Sequence, residues 1–332
     1  MAQTRLSDDT TAAGVPAVTP AGDSVPAARP GWRRRQIRQG WQLYVMLALP
    51  VLYLAIYKYG PIYGVQIAFR DYNPVDGITG SPWVGLEQFV RFVHSYQFVP
   101  IIKNTVVLHV YELAAMAPLP IVLALALNYV RTRWFARVVQ MVTYAPHFIS
   151  TVVIVGMMLL LFDPRVGVFN QALQFLHLPT VDILGGETWF RHMFVASSVW
   201  QNLGFDAIIY LAALAGVDPE LHEAAIVDGA SKLKRIWHID LPSITPVFVI
   251  LMILNVGSIM SIGFEKALLM QSPLNLDISQ VINTYVYQVG LKSPVPQYSY
   301  AAAIGLFQGV IGLIMLVLAN WAARRFSRTS LW

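Results

Sequence analysis

The chain has 332 residues, of which 56% are hydrophobic and only 12% are charged, and its mean hydropathy is +0.55. This composition excludes an ordinary soluble domain and indicates an integral membrane protein, while the lack of cysteine excludes disulfide bonds and thiolate metal sites. The net charge of +5 comes from basic clusters beside apolar stretches, so we interpret it as a membrane topology signal and expect no nucleic-acid partner.

Residues 1–39 are rich in Ala, Pro, Thr and Ser without periodicity, and they end in a basic cluster at 33–38. This pattern predicts a disordered basic cytoplasmic tail before a transmembrane domain at 40–332. A basic cluster followed by an apolar run also occurs in secretion signals, and a twin-arginine export signal is the weaker alternative. Because the run is long and further apolar segments follow, we expect an uncleaved first span.

Six apolar segments are long enough to cross a bilayer, which takes about 20 residues, and they predict an all-α integral membrane protein. The predicted spans are residues 41–69, 104–130, 138–162, 190–217, 244–269 and 299–322. The larger share of the 23 Lys and Arg residues lies in the tail and at 131–137, 232–235 and 324–328. The positive-inside rule therefore places both termini and the loop at 218–242 in the cytoplasm.

Asn202, Asp206 and Tyr210 recur every four residues in the fourth predicted span, so they share one helical face. A carboxylate at membrane depth costs about 2.5–3.5 kcal/mol on insertion scales, so Asp206 should face a bundle interior or a wet pathway. A structural polar pair between helices explains it equally well. Asn255 lies in a similar stripe with Glu265 on the fifth span, where packing and snorkelling are the simpler explanation, but it completes the candidate pathway set.

The loop at 218–242 has the residue chemistry of a docking element. Asp218 can cap a helix that starts at Pro219, and Gly229 can end it. Ser231 can then cap a second, short, basic amphipathic helix. Ala224 and Ala225 have so little bulk that another subunit could approach the backbone closely, and Glu223 offers an orienting charge. An ordinary cytoplasmic loop is the alternative.

Two catalytic motifs are incomplete or missing in this sequence. No Gly-x-x-x-x-Gly-Lys-Ser/Thr phosphate loop occurs, so an ATPase would have to be a partner. His222 and Glu223 begin a zinc-protease motif, but Ile226 stands where its second histidine is needed. We therefore expect a protein that is not an enzyme.

The segment Glu-Ala-Ala at 223–225, Gly229, a nine-residue spacer at 230–238 and then Ile-x-Leu-Pro at 239–242 resembles the EAA loop of binding-protein-dependent ABC importer permeases. The resemblance implies a six-helix type I importer transmembrane domain in the bacterial inner membrane. By position it assigns coupling to the ATPase to Glu223, Ala224, Ala225, Gly229, Ile239, Leu241 and Pro242. It also implies a second homologous permease, two cytoplasmic ATPase subunits that bind ATP and magnesium, and an extracytoplasmic solute-binding protein, with no cofactor in this chain.

From residue 40 onward the chain resembles the carbohydrate branch of this family, including the permeases of alginate importers. The residues that carry this are KYGPIYG at 58–64, FRDYNP at 69–74, SPWVGL at 81–86 and TYVY at 284–287. The branch implies import of oligosaccharides or polysaccharide fragments. Asp206 departs from the small or neutral polar residue that we expect there, which leaves the lining of the pathway open.

Two other classes of function remain as alternatives. An ion-coupled secondary transporter should show internal repeats or broken helices with charges at the membrane midplane, and Asp206 alone would support it. A membrane-embedded enzyme would need a catalytic group of residues, and we find no histidine pair, Ser/Lys pair or acidic dyad at a suitable spacing. Neither alternative explains the loop at 218–242.

Overall fold

The computed structural model describes residues 41–326, and this part of the chain is helical apart from one antiparallel β-bridge between Arg70 and Trp83. The all-α prediction is therefore confirmed for it, while the predicted tail at 1–39 lies outside the described residues. The helices are α1 (Trp41–Leu54), α2 (Gly77–Gly80), α3 (Glu87–Val93), α4 (Phe98–Met116), α5 (Leu119–Tyr129), α6 (Arg133–Tyr144), α7 (Thr151–Leu161), α8 (Val168–Phe175), α9 (Glu187–Ala215), α10 (Pro219–Val227), α11 (Lys232–Arg235), α12 (Leu241–Gly257), α13 (Phe264–Met270), α14 (Leu276–Ser279), α15 (Ile282–Tyr287) and α16 (Tyr298–Phe326).

The chain divides into two compact units, Met1–Pro61 and Ile62–Trp332. The described part of the first unit consists of α1, the π-helical turn Ala55–Tyr59 and the first two residues of the 3-10 helix Gly60–Phe69, and none of these residues is buried. The second unit contains the rest of that 3-10 helix and all the other α-helices. It also has a 3-10 helix at Ala145–Phe148 and π-helical turns at Ile236–Asp240 and Gln288–Lys292.

Within residues 41–326, four helical runs are long and apolar enough to span a membrane. They are Trp41–Phe69, Phe98–Tyr129, Lys232–Gly257 and Tyr298–Arg325, and they correspond to the first, second, fifth and sixth predicted spans. The fourth predicted span coincides with α9, a 29-residue helix that carries more polar residues than these four. By length and hydropathy the described residues thus contain four spans, or five if one bent pair is counted as a span, whereas the sequence predicts six, and two of the predicted spans have the wrong shape.

The third predicted span, at 138–162, is wrong as a single straight helix. The helices Arg133–Phe148 and Thr151–Leu161 meet at an angle of 98°. They are long and apolar enough to span a membrane only when the two are counted as one span. The backbone becomes extended at Ile149 and Ser150. The Ser150 hydroxyl then accepts a hydrogen bond from the Val153 amide and so caps a new helix.

The fifth predicted span, at 244–269, is also wrong in its bounds. The helix begins earlier, at Lys232, and ends at Gly257, while α13 is a separate helix. Ser258 is the capping residue at this end, with φ of −94° and ψ of 13°, and its hydroxyl donates to the Asn255 carbonyl at 2.9 Å. A turn closed by the Ser261 amide and the Ser258 carbonyl follows, with a separation of 2.7 Å.

Close packing around α9 builds the interior of the second unit. One apolar cluster joins α5, α9 and α12 through Ala124, Ala207, Tyr210 and Ile244. Gly204 lets α6 approach α9 very closely, because a Cβ atom at this position would collide with the Thr143 backbone. Small residues at such crossings are typical of membrane helices, where close van der Waals packing drives association.

Candidate functional site: an exposed loop helix and a polar cavity

Helix α10 begins and ends as its sequence predicts. The Asp218 carboxylate accepts a hydrogen bond from the Glu220 amide at 3.0 Å, and Pro219 takes the first helical position. At the other end, the Gly229 and Ala230 amides donate to the carbonyls of Ile226 and Ala225. This pairing requires the left-handed backbone that Gly229 adopts, with φ of 75°.

The second short helix predicted in the loop is wrong as a separate element. The Ser231 hydroxyl does cap a helix, at 3.4 Å from the Lys234 amide. However, that helix continues without a break as Lys232–Gly257. The π-helical turn Ile236–Asp240 lies just before Pro242, so the wider turn occurs where proline removes a backbone donor. The basic segment is therefore the first part of a long helix.

The residues predicted to couple to an ATPase fall into two groups. Glu223, Ala224, Gly229 and Pro242 are exposed, whereas Ala225, Ile239 and Leu241 are half-buried. Leu241 packs against the apolar cluster of α5, α9 and α12, so it anchors the loop to the helix bundle. The exposed group alone forms a surface that another subunit could contact.

Large apolar side chains extend this exposed surface, and their exposure was not evident from the sequence. Val227 is 87% exposed, Leu233 is 73% exposed and Trp237 is 67% exposed. They flank the alanines on α10 and the start of the helix that follows. Exposed apolar groups with a polar rim are typical of protein interaction sites.

The four residues of the predicted pathway line one cavity of about 350 Å³. Asn202, Asp206 and Tyr210 reach it from α9 and Asn255 reaches it from α12. Two polar residues of α4, His109 and Glu112, also line it and are not among the four predicted. The other lining residues are Leu113, Met116, Ala117, Pro120, Ile209, Leu251, Met252, Ser258, Ser261, Ile262 and Gly263.

Hydrogen bonds hold several of these polar side chains in place. His147 Nδ1 lies 3.0 Å from Asn202 Oδ1, and the His147 ring stacks on Phe205 with ring centres 3.8 Å apart. His109 Nε2 lies 3.1 Å from the Asn255 carbonyl, which ties α4 to α12. Amide, carboxylate and phenol groups around a partly apolar cavity suit a hydroxyl-rich ligand.

The described residues provide a third polar feature that sequence reasoning missed. Asp240 is fully buried, and its carboxylate accepts a hydrogen bond from the Tyr129 hydroxyl at 2.7 Å. His222 Nε2 lies 3.3 Å from its other oxygen. The residues come from positions 129, 222 and 240, so no local spacing could have predicted their meeting.

Comparison with protein families gives a match over residues 116–328 to the model described as binding-protein-dependent transport system inner membrane component. The matched region includes the loop at 218–242 and nearly all of the cavity lining. The chain belongs to this family. It is therefore an inner membrane component of an importer that works with a solute-binding protein.

Individual relatives match over nearly the whole chain. The polygalacturonan/rhamnogalacturonan transport system permease protein YteP of Bacillus subtilis (strain 168) is 40% identical over 95% of this chain and 98% of its own. Protein LplB of the same organism is 39% identical over 91% of this chain and 94% of its own. A chain in the crystal structure of a bacterial alginate ABC transporter, in complex with alginate pentasaccharide-bound periplasmic protein, is 36% identical with a TM-score of 0.81, over 90% of this chain and 99% of that chain.

These matches decide the class of protein. The chain is an ABC transporter permease with the type I importer fold, and the ATPase site lies on a separate subunit. The family and the length of the matches rule against the ion-coupled secondary transporter and the membrane-embedded enzyme. The family resemblance that the loop motif indicated is confirmed.

Proposed function

We propose that this permease imports oligosaccharides or polysaccharide fragments, and that it holds them in the polar cavity between α4, α9 and α12. The observation that carries the proposal is that Asn202, Asp206, Tyr210 and Asn255 line one cavity with His109 and Glu112. Hydroxyl groups of a sugar can donate to carboxylates and accept from amides. The printed names of YteP and of the alginate transporter support this class of substrate.

The proposed import cycle needs partners that bind both faces of the permease. A second, homologous permease completes the pathway. Two ATPase subunits bind to the permease pair, and docking on this chain uses the exposed surface of the 218–242 loop. Those subunits bind ATP and magnesium, so this chain needs no cofactor. The crystal structure of the alginate transporter contains a sugar-loaded periplasmic protein, which supports delivery by a partner of the same kind.

The orientation that fits this cycle places both termini and the 218–242 loop in the cytoplasm. Lys232, Lys234 and Arg235 support this orientation, because basic residues are retained on the cytoplasmic side. ATP is available on that side. The cavity then lies between the cytoplasmic loop and the side from which the binding protein delivers its cargo.

Reconstitution of the four-part importer with its binding protein in liposomes tests the function. We expect labelled galacturonate or alginate oligosaccharides to enter only when ATP is inside and the loaded binding protein is outside. A proton or sodium gradient without ATP should give no uptake. Uptake that follows an ion gradient and ignores ATP, or uptake that needs no binding protein, would contradict the proposal.

A further inference from the structure

A buried polar cluster of His222, Asp240 and Tyr129 joins the exposed loop helix to the helix bundle. The Asp240 side chain has no exposed surface, and one of its oxygens accepts from Tyr129 at 2.7 Å. The other oxygen lies 3.3 Å from His222 Nε2. Only the Tyr129 hydroxyl donates a hydrogen bond to this carboxylate. The oxygen that faces His222 has no hydrogen-bond partner among the described residues, so the His222 contact is a close polar contact and not a hydrogen bond.

The cluster attaches α10 to the buried side chain of Asp240 through His222. No residue of α10 is buried, so this helix gains little from apolar packing. His222 is half-buried and points to Asp240 from its inner side. If α10 is displaced, the contact at His222 passes the displacement to the buried carboxylate or is lost.

The other two members of the cluster lie at the ends of helices that line the cavity. Tyr129 is the last residue of α5, and Pro120 at the other end of α5 lines the cavity, about 14 Å away at 1.5 Å per residue. Asp240 directly precedes α12, whose Leu251 and Asn255 line the cavity. A rigid helix carries a movement of one end to the other.

Arg235 adds a charge beside the cluster. Its guanidinium carbon lies 5.7 Å from the centre of the Tyr129 ring, a distance at which a cation is attracted to the ring face. Arg235 belongs to the basic segment at the start of the long helix Lys232–Gly257. The ring of Tyr129 is thus fixed both by its hydroxyl and by its face.

We propose that the polar cluster is a positioning link that transmits movement of the ATPase-docked α10 to α5 and α12, and through them to the cavity. This inference rests on the proposed docking of the ATPase on the 218–242 loop. His222, Asp240 and Tyr129 touch neither ATP nor sugar, so they act through the helices that they join. Their loss uncouples hydrolysis from transport while both partners stay bound.

The test compares sugar imported per ATP hydrolysed in liposomes containing the complete importer. His222→Leu removes the close polar contact with Asp240, and Tyr129→Phe removes the hydroxyl that donates to it. We expect each variant to retain its ATPase subunits and to import at least about fivefold less sugar per ATP, the lower end of the range for coupling between sites. His222→Gln should restore most of the parental ratio, because its amide can donate to Asp240.

His94→Leu is the matched control, because His94 is exposed outside the 218–242 loop and its Nδ1 lies 2.9 Å from the carbonyl of Val90, four residues earlier. It should keep the parental ratio. A merely structural role would lower the amount of assembled importer and leave the ratio unchanged in what remains, which would overturn the link. So would parental ratios in both His222→Leu and Tyr129→Phe. If the parental importer itself shows no hydrolysis stimulated by the loaded binding protein, the proposed function fails instead.

Discussion

At the scale of single residues, Asp206 is the residue that we propose contacts the sugar in the cavity. Its carboxylate lines the cavity together with Glu112 and Tyr210. Hydrogen bonds to a charged group are worth about 1.5–3 kcal/mol and those between neutral groups about 0.5–1.5 kcal/mol. A sugar hydroxyl bound to Asp206 should therefore lose about 1 kcal/mol when the charge is removed.

We predict that Asp206→Asn inserts normally and raises the apparent KM for oligosaccharide uptake roughly fivefold, which corresponds to about 1 kcal/mol. The measurement is the concentration dependence of uptake in liposomes. Glu265→Gln provides the control, since Glu265 is an exposed carboxylate on α13 outside the cavity. If Asp206→Leu imports with the parental KM and rate, Asp206 has no contact with the sugar.

The sequence was sufficient to group Asn202, Asp206 and Tyr210, because a four-residue spacing places side chains on one face of any helix. It could not group them with His109 or Glu112, because that meeting depends on how α4 packs against α9. The same limit applies to Tyr129, His222 and Asp240, which lie on three elements. The sequence alone can thus group side chains within one helix, but not side chains from different helices.

At the scale of elements, Gly229 decides where α10 ends and how the chain turns into the long helix at Lys232. Its φ is 75° and no atom lies within 4 Å of the position where a Cβ would be. A side chain introduced there would strain the backbone but would not collide with neighbouring atoms. The left-handed backbone costs roughly 1–2 kcal/mol for most L-residues, and Asn tolerates it better than Ala.

We predict that Gly229→Ala lowers uptake and weakens retention of the ATPase on the purified complex, and that Gly229→Asn retains more of both. Gly216→Ala is the matched control, because Gly216 also ends a helix but has φ of −86°. It should behave like the parent. Equal effects of Ala at positions 216 and 229, or equal uptake in Gly229→Ala and Gly229→Asn, would show that the shape of this turn does not govern docking.

The ends of helices could be predicted from the sequence where a capping residue sets them. They could not be predicted where the packing of the helices sets them. Asp218, Gly229 and Ser231 are local caps, and all three act as predicted. The bend near Ser150 and the stop at Ser258 lie inside continuous apolar runs, so hydropathy alone joined segments that the structure separates. A serine hydroxyl bonds to the backbone at each of the two breaks, from Ser150 at the start of the new helix and from Ser258 at the end of the old one.

At the scale of the whole molecule, the exposed loop, the polar cluster and the cavity form one continuous path through the second unit. The apolar surface of Val227 and Leu233 is where a partner can bind. The cavity is where polar groups of α4, α9 and α12 converge. An importer needs both sites and a mechanical connection between them, because hydrolysis occurs on a different subunit from transport.

The orientation that we propose rests on the basic residues, and the lack of cysteine makes it directly measurable. Single cysteines can be placed at two exposed positions, Ala224 in the loop and Val75, which is 90% exposed between the first two spans. We predict that a membrane-impermeant thiol reagent added to intact spheroplasts labels Val75→Cys and leaves Ala224→Cys unlabelled. After the membrane is permeabilised, both should react.

The same pair of variants separates orientation from accessibility, because each one also serves as the control for the other. In the permeabilised sample, purified ATPase subunits should protect Ala224→Cys from the reagent and should leave Val75→Cys fully reactive. Exposed charges such as Glu223 would be covered by the same partner. Labelling of Ala224→Cys in intact cells would reverse the orientation and would put the loop out of reach of ATP. Labelling that is unaffected by the ATPase would mean that the docking surface lies elsewhere on the molecule.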